Sequence, residues 1–122
     1  VTSDQYTVQL VQDQYGNYVV QHILEQGSGA DRRRIIAQVL PRVVDFSCHK
    51  FASNVVEKCV AFGGDEDRQA MLDQVLRPLP DSQAAHPGDF GLLLMMRDQF
   101  ANYVVQKMLD VVEGAQRDQL LA

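Results

Sequence analysis

Cysteine is scarce in this 122-residue chain: Cys48 and Cys59 are the two present. Two thiols make no disulfide framework, their spacing matches no zinc pattern, and they suit a reducing interior as packed side chains. No run of about 18 apolar residues occurs, so no membrane-spanning helix is expected, and no signal peptide is expected either. There is no glycine-rich phosphate loop, no pair of carboxylates with a plausible pocket, and no recurring Ser/His/Asp arrangement. The chain is therefore read as a non-enzyme with no cofactor and no metal. Methionines such as Met95, Met96 and Met108 are read as core rather than as a cofactor box.

Positive charge is also lacking. The net charge is −5 and the pI about 5.0, which argues against a protein that grips nucleic acid mainly through its phosphates. What the chain does have is apolar content of 46%, enough for the core of one domain-sized unit.

It also has a repeat. Gln14-Tyr15-Gly16-Asn17-Tyr18-Val19-Val20-Gln21 returns as Lys50-Phe51-Ala52-Ser53-Asn54-Val55-Val56-Glu57, and again as Gln99-Phe100-Ala101-Asn102-Tyr103-Val104-Val105-Gln106. On a helix at about 100° per residue, Gln14, Asn17, Tyr18, Gln21, His22 and Glu25 share one side. Tyr15, Gly16, Val19, Val20, Ile23 and Leu24 share the other, which is the expected core side. Gly16, Ala52 and Ala101 would let a neighbouring helix come close. Asn17 and Gln21 project side by side, about 6 Å apart along the axis.

The repetition extends beyond the octamer. An offset of 36 residues carries Asn17 to Ser53, Leu10 to Phe46, Arg32 to Arg68 and Ile35-Ile36 to Met71-Leu72. A second offset of 49 carries Ser53 to Asn102, Phe46 to Met95 and Arg68 to Arg117. Each unit reads as three helices: near 3–12, 15–25 and 31–39 in the first, with Gly27-Ser28-Gly29 and Pro41 as breaks. The longer second offset places the extra residues between Leu76 and Leu92. There Pro78, Pro80, Pro87 and Gly88 predict an exposed, mobile loop. The chain opens on Val1 and stops at Ala122 without a polar terminal cap, which reads as the middle or end of a longer array.

With units of this length, Asn-Tyr-x-x-Gln or Ser-Asn-x-x-Glu in the middle helix resembles the Pumilio-type PUF repeats. The resemblance covers nearly the whole chain. Lys50 to Cys59 is similar to the family's penultimate repeat, and an insertion before the next repeat is also a family feature. The resemblance thus implies the sixth, seventh and eighth repeats of an array that usually has eight. Its implied fold is an all-α, right-handed, armadillo-like solenoid. The repeats divide as 1–40, 41–76 and 91–122, with an inserted loop at 77–90.

PUF repeats are themselves the reference example of one base read per helical repeat. The residue chemistry suits that task. Packed helices lie about 8–10 Å apart, and stacked bases about 3.4 Å, so a single strand following the inner helices must open. Tyr18, Asn54 and Tyr103 are placed to fill the gaps between bases, Asn54 being the weaker platform. Asn17 with Gln21, and Asn102 with Gln106, offer amide donors and acceptors to the edge of uracil. Glu57, an acceptor only when ionised, suits the two donors of guanine, and Ser53 leaves room for the purine. Family polarity, with the C-terminal repeat on the 5′ base, implies the core 5′-UGU-3′. The resemblance further implies binding to 3′ untranslated regions of messenger RNA, translational repression or destabilisation, and a cytoplasmic location. It also places protein-partner contacts at the 77–89 loop and the convex face.

Each of these residues has a structural alternative. An Asn/Gln pair on one exposed helix is commonly a solvated face, and Tyr18 alone is commonly a rim packing residue. Recurrence in three units shifts the balance toward base reading. His22, Lys58 and Lys107 coincide under the offsets and are candidates for RNA phosphate or ribose, with a solvated face the equal alternative. Arg32-Arg33-Arg34 is read as a solvent-facing run. The alternative for the whole chain is a helical-repeat protein-interaction scaffold independent of RNA.

Overall fold

The computed structural model describes residues 3–79, 89–112 and 114–121. The first unit contains α1 (Ser3–Val11), α2 (Gly16–Gln26) and α3 (Gly29–Val39). In the second, a 3-10 turn (Leu40–Arg42) holding Pro41 leads into α4 (Val43–Ser47), α5 (Ala52–Phe62) and α6 (Asp65–Val75). The third has α7 (Gly91–Arg97), α8 (Ala101–Val111) and α9 (Gly114–Leu121). The middle helices α2, α5 and α8 are each 11 residues long. They start at Gly16, Ala52 and Ala101, separated by the same 36 and 49 residues that relate the motifs.

Local chemistry sets the breaks. Gly27 closes α2 by donating its N–H to the Ile23 carbonyl (2.7 Å). Ser28, the residue after it, already belongs to the next helix: its Oγ accepts from the Asp31 N–H (3.1 Å), an N-cap worth about 1 kcal/mol. In the second unit Gly63 repeats the first role, donating to Cys59 O at 2.9 Å. There the cap is reversed, with Gly64 N–H donating to the Asp67 carboxylate (3.0 Å).

The helices form an α-solenoid whose most extensive contacts join α2 to α5 and α5 to α8, making one inner row. The first helix of each unit packs against that row, and the outer α6 meets α9. One apolar cluster runs through all three units, from Val20 and Leu24 through Val55, Val56, Met71 and Leu72 to Met95, Val104 and Met108. The expected close approach occurs at Gly16, where a Cβ would stand 2.7 Å from the Leu10 carbonyl oxygen. Ala52 and Ala101 are fully buried at the same place.

Three residues expected in the core are outside it. Val19 is 55% exposed, whereas its counterparts Val55 and Val104 are 0% exposed. Tyr15 is likewise exposed, while Phe51 and Phe100 are partly covered. The reason is positional: in the second and third units the preceding inner helix covers this side, and α2 has no such neighbour among the described residues. Met96 is also exposed, one residue beyond buried Met95 on the outward side of the short α7.

At the insertion, the two ends are clasped. Leu79 N–H donates to Asp89 O (2.7 Å), Gly91 N–H to Arg77 O (3.1 Å), and Pro78 and Phe90 form an isolated antiparallel bridge. The expectation of an exposed, mobile loop falls mainly on 80–88, outside the described residues. No described helix is long and apolar enough to cross a membrane.

Candidate nucleic-acid interface

Every inner helix begins with the same device, built from different residues. The Asp13 carboxylate accepts from the N–H groups of Tyr15 and Gly16, both at 2.8 Å. Asp98 does the same for Phe100 (2.8 Å) and Ala101 (2.9 Å). In the middle unit His49 Nδ1 takes this place, accepting from Phe51 (3.1 Å) and Ala52 (3.2 Å). That requires an unprotonated Nδ1, with any ring proton on Nε2. These bonds satisfy otherwise orphaned helix-start donors. At Asp13 the donors Gly16 and then Tyr15 lower the carboxyl pKa. The three residues coincide under the sequence offsets, but their differing chemistry hid the shared task.

Asn17 departs from expectation. It is fully buried rather than projecting outward, because its Nδ2 folds back to the carbonyls of Asp13 (2.8 Å) and Gln14 (3.1 Å). Its Oδ1 then accepts from Gln21 Nε2 at 2.9 Å, and Gln21 stays half-buried. The third unit repeats the chain of bonds: Asn102 Nδ2 to Asp98 O (2.6 Å), and Gln106 Nε2 to Asn102 Oδ1 (3.2 Å). Here Asn102 is half-buried and Gln106 exposed. The anchored asparagine thus turns its oxygen toward the glutamine, leaving Gln21 and Gln106 each with a carbonyl oxygen and one N–H outside this bond.

The middle unit differs. Ser53 is also buried, because its hydroxyl turns back toward the Lys50 carbonyl (3.4 Å). It is too short to prop Glu57 as the asparagines prop the glutamines. Burial pushes the Glu57 carboxyl pKa up, and the positive charges of Lys107 and then Lys58 pull it partly back.

Tyr18 and Tyr103 are 64% and 60% exposed, so both rings offer surface beside the Gln21 and Gln106 positions. Asn54 is half-buried. Of the candidate cations, His22 is exposed and Lys107 half-buried. Lys58 is already engaged: its Nζ lies 2.5 Å from the Glu25 carboxylate of the preceding inner helix and 5.8 Å from the Phe62 ring centre. A lysine held this way is a weaker candidate for phosphate.

Arg32 is another correction. Rather than facing solvent with Arg33 and Arg34, it clamps the end of α2, Nε to Leu24 O (2.8 Å) and Nη2 to Glu25 O (3.2 Å). Arg68 repeats this on α5, to Val60 O (3.1 Å) and Ala61 O (3.3 Å). Arg117 donates to Leu109 O of α8 (2.9 Å). The signal was present in the sequence, since the two offsets superpose these arginines. Both ends of the inner helices are thus held by recurring side chains.

The surroundings of both thiols favour the protonated form. Burial, then the nearby Asp98 and Asp45 charges, push Cys48 up to about 12, and burial raises Cys59. Among the described residues no cluster of His, Cys, Asp and Glu could hold a metal ion.

A three-unit helical solenoid, with one row of inner helices carrying paired polar side chains, defines the class. The chain belongs to the Pumilio family: the model of the Pumilio-family RNA binding repeat matches residues 6–40, 42–76 and 92–122. It is 42% identical over 84 residues to the mRNA-binding protein PUF3 of Saccharomyces cerevisiae, covering 68% of this chain and 9% of that protein. A Pumilio domain-containing protein of Schizosaccharomyces pombe is 38% identical over 112 residues, 92% of this chain and 15% of its own length. Among solved structures, PUF-8 in complex with PBE-RNA superposes with a TM-score of 0.84 at 38% identity, covering 96% of this chain and 32% of that one. The Puf3 RNA binding domain bound to a Cox17 RNA 3′ UTR site gives 0.81 at 36% identity, covering 97% and 36%. The chain therefore spans about a third of these structures and less than a fifth of these curated relatives.

Proposed function

We propose that this chain binds single-stranded RNA sequence-specifically, one base per repeat, with the core 5′-UGU-3′. The observation that carries the reading is the order of edge pairs on α8, α5 and α2: Asn102/Gln106, Ser53/Glu57, Asn17/Gln21, each at the same place on its helix. In the outer two, the glutamine carbonyl accepts from uracil N3 and its remaining N–H donates to a uracil carbonyl. The backbone-anchored asparagine steadies the glutamine in each of these units. In the middle unit Glu57 accepts from guanine N1 and N2. Tyr18 and Tyr103 stack between bases, each worth about 1–3 kcal/mol, with Asn54 as the poorer platform.

Phosphate contributes little to this reading. Lys58 is paired, and His22 is the exposed candidate left for backbone contact. Many of the acids lie on the outer helices, as at Asp31, Asp65, Glu66, Asp73 and Asp118. Affinity for a three-base site should be roughly micromolar or weaker, with a shallow salt dependence.

We further assign the repeats as the sixth to eighth of a longer array, bounded at 1–40, 41–76 and 91–122 with the insertion at 77–90. The biological role is repression of messenger RNA through 3′ untranslated regions in the cytoplasm, a binding rather than a catalytic function. Protein partners would meet the 77–89 segment and the convex face. Fluorescence anisotropy with a short UGU-containing RNA against a UCU control tests the reading. Preference for UGU of at least about tenfold supports it. Equal or absent binding would favour the RNA-independent scaffold.

A further inference from the structure

Lys58 shows where its helical position points. From α5 it reaches back to Glu25 on α2 and pairs with it at 2.5 Å. The 49-residue offset puts Lys107 at the same place on α8, and α8 packs on α5 as extensively as α5 packs on α2. Lys107 therefore faces back toward α5. There the counterpart of Glu25 is Ala61, which has no charge. The acid available on that side is Glu57, one helical turn before Ala61 and about 6 Å away along the axis, within the sweep of a lysine stem.

We propose that Lys107 is a specificity-supporting residue for the middle base: its ammonium reaches across from α8 and holds Glu57 as the acceptor that reads guanine. This rests on the reading of Ser53/Glu57 as the guanine pair. Glu57 needs such help because Ser53 turns away from it and because burial disfavours its charge. Lys107 is the strongest charge opposing that effect, ahead of Lys58. The ordering fits the geometry, since Lys58 on the same helix as Glu57 is committed to Glu25 of α2. The outer repeats read with neutral glutamine and need no such ion. Lys107 thus acts on one base through a neighbouring repeat rather than on phosphate.

The sign of the pH dependence follows. A protonated Glu57 donates where guanine also donates, so UGU binding is complete above the Glu57 pKa and is lost as pH falls through it. Removing Lys107 raises that pKa and moves the loss to higher pH.

The experiment is competition binding of two RNAs, UGU and UUU with identical flanks, to the full chain carrying Lys107→Met, between pH 5 and pH 8. Preference for UGU should fall about fivefold near neutral pH, with UUU binding little changed. The pH midpoint of UGU binding should rise, and Lys107→Arg should restore both. In a Glu57→Gln background, Lys107→Met should have no further effect on preference. Equal weakening of both RNAs with a shallower salt slope would make Lys107 a phosphate contact and overturn the proposal. An unmoved pH midpoint would overturn it as well. If Glu57→Gln alone leaves the UGU preference intact, the guanine reading itself fails, an outcome distinct from a failure of Lys107.

Discussion

Replacing Arg68 with methionine tests whether the end of α5, the middle inner helix, is held by the arginine clamp. Two interactions compete to explain this residue. One is the pair of bonds from Nε to Val60 O (3.1 Å) and Nη2 to Ala61 O (3.3 Å). The other is the ion pair with Asp65 at 3.5 Å. The Asp65 side chain is 91% exposed, so that pair is worth roughly 0–0.5 kcal/mol. Bonds from a charged donor to carbonyls are worth about 1.5–3 kcal/mol each when well buried. Arg68 is half-buried and its second bond is long, so a combined loss of about 1.5–3 kcal/mol is expected. Methionine keeps an unbranched stem and good helix propensity, which confines the change to the guanidinium. Urea unfolding of the full chain measures it as a lower midpoint at constant slope. Arg68→Lys should recover less than half, because an ammonium cannot span both carbonyls. Asp65→Asn should cost less than about 0.5 kcal/mol. If Asp65→Asn costs as much as Arg68→Met, or Arg68→Met costs nothing measurable, the clamp is not what holds the helix.

The helix starts give a gain instead of a loss. His49→Asp should stabilise the chain by about 0.5–1 kcal/mol, since a carboxylate already performs this task at Asp13 and Asp98; a lower urea midpoint would contradict it. Gly16→Ala should destabilise by about 1–3 kcal/mol, because the new methyl meets the Leu10 carbonyl at 2.7 Å; thermal unfolding reads it, and no change would mean that α1 yields freely. Tyr103→Ala should weaken UGU RNA by about 1–3 kcal/mol without altering the preference between UGU and UUU, and a changed preference would make Tyr103 an edge reader.

The architecture was legible in the sequence because a repeat states its own period. Offsets of 36 and 49 residues located the inner helices before any contact was known. Helical periodicity could not say which repeat has a neighbour. Val19 and Val55 look alike in sequence, and the difference between exposure and burial comes only from the helix packed before them. The wheel likewise placed Asn17 on the outward side, whereas a short amide at a helix start finds backbone carbonyls before it finds solvent. Lys58 read as a free cation until tertiary packing brought Glu25 within reach. The recurring arginines and helix-start acceptors stand at fixed offsets too. Their roles stay hidden because charge suggests solvent, and because a histidine among aspartates conceals a common task.

The central claim is that the two polar positions on each inner helix choose the base. Ser53→Asn with Glu57→Gln gives the middle unit the edge pair of its neighbours, an anchored asparagine that props a glutamine in place of an unpropped carboxylate. Competition binding of UGU and UUU RNAs to the wild-type and doubly substituted chains is the most direct measurement. Preference should move from UGU toward UUU by at least about tenfold, by analogy with the 1–3 kcal/mol discrimination of bidentate edge contacts. Equal weakening of both RNAs, or no change in either, would mean that this row of helices does not read bases.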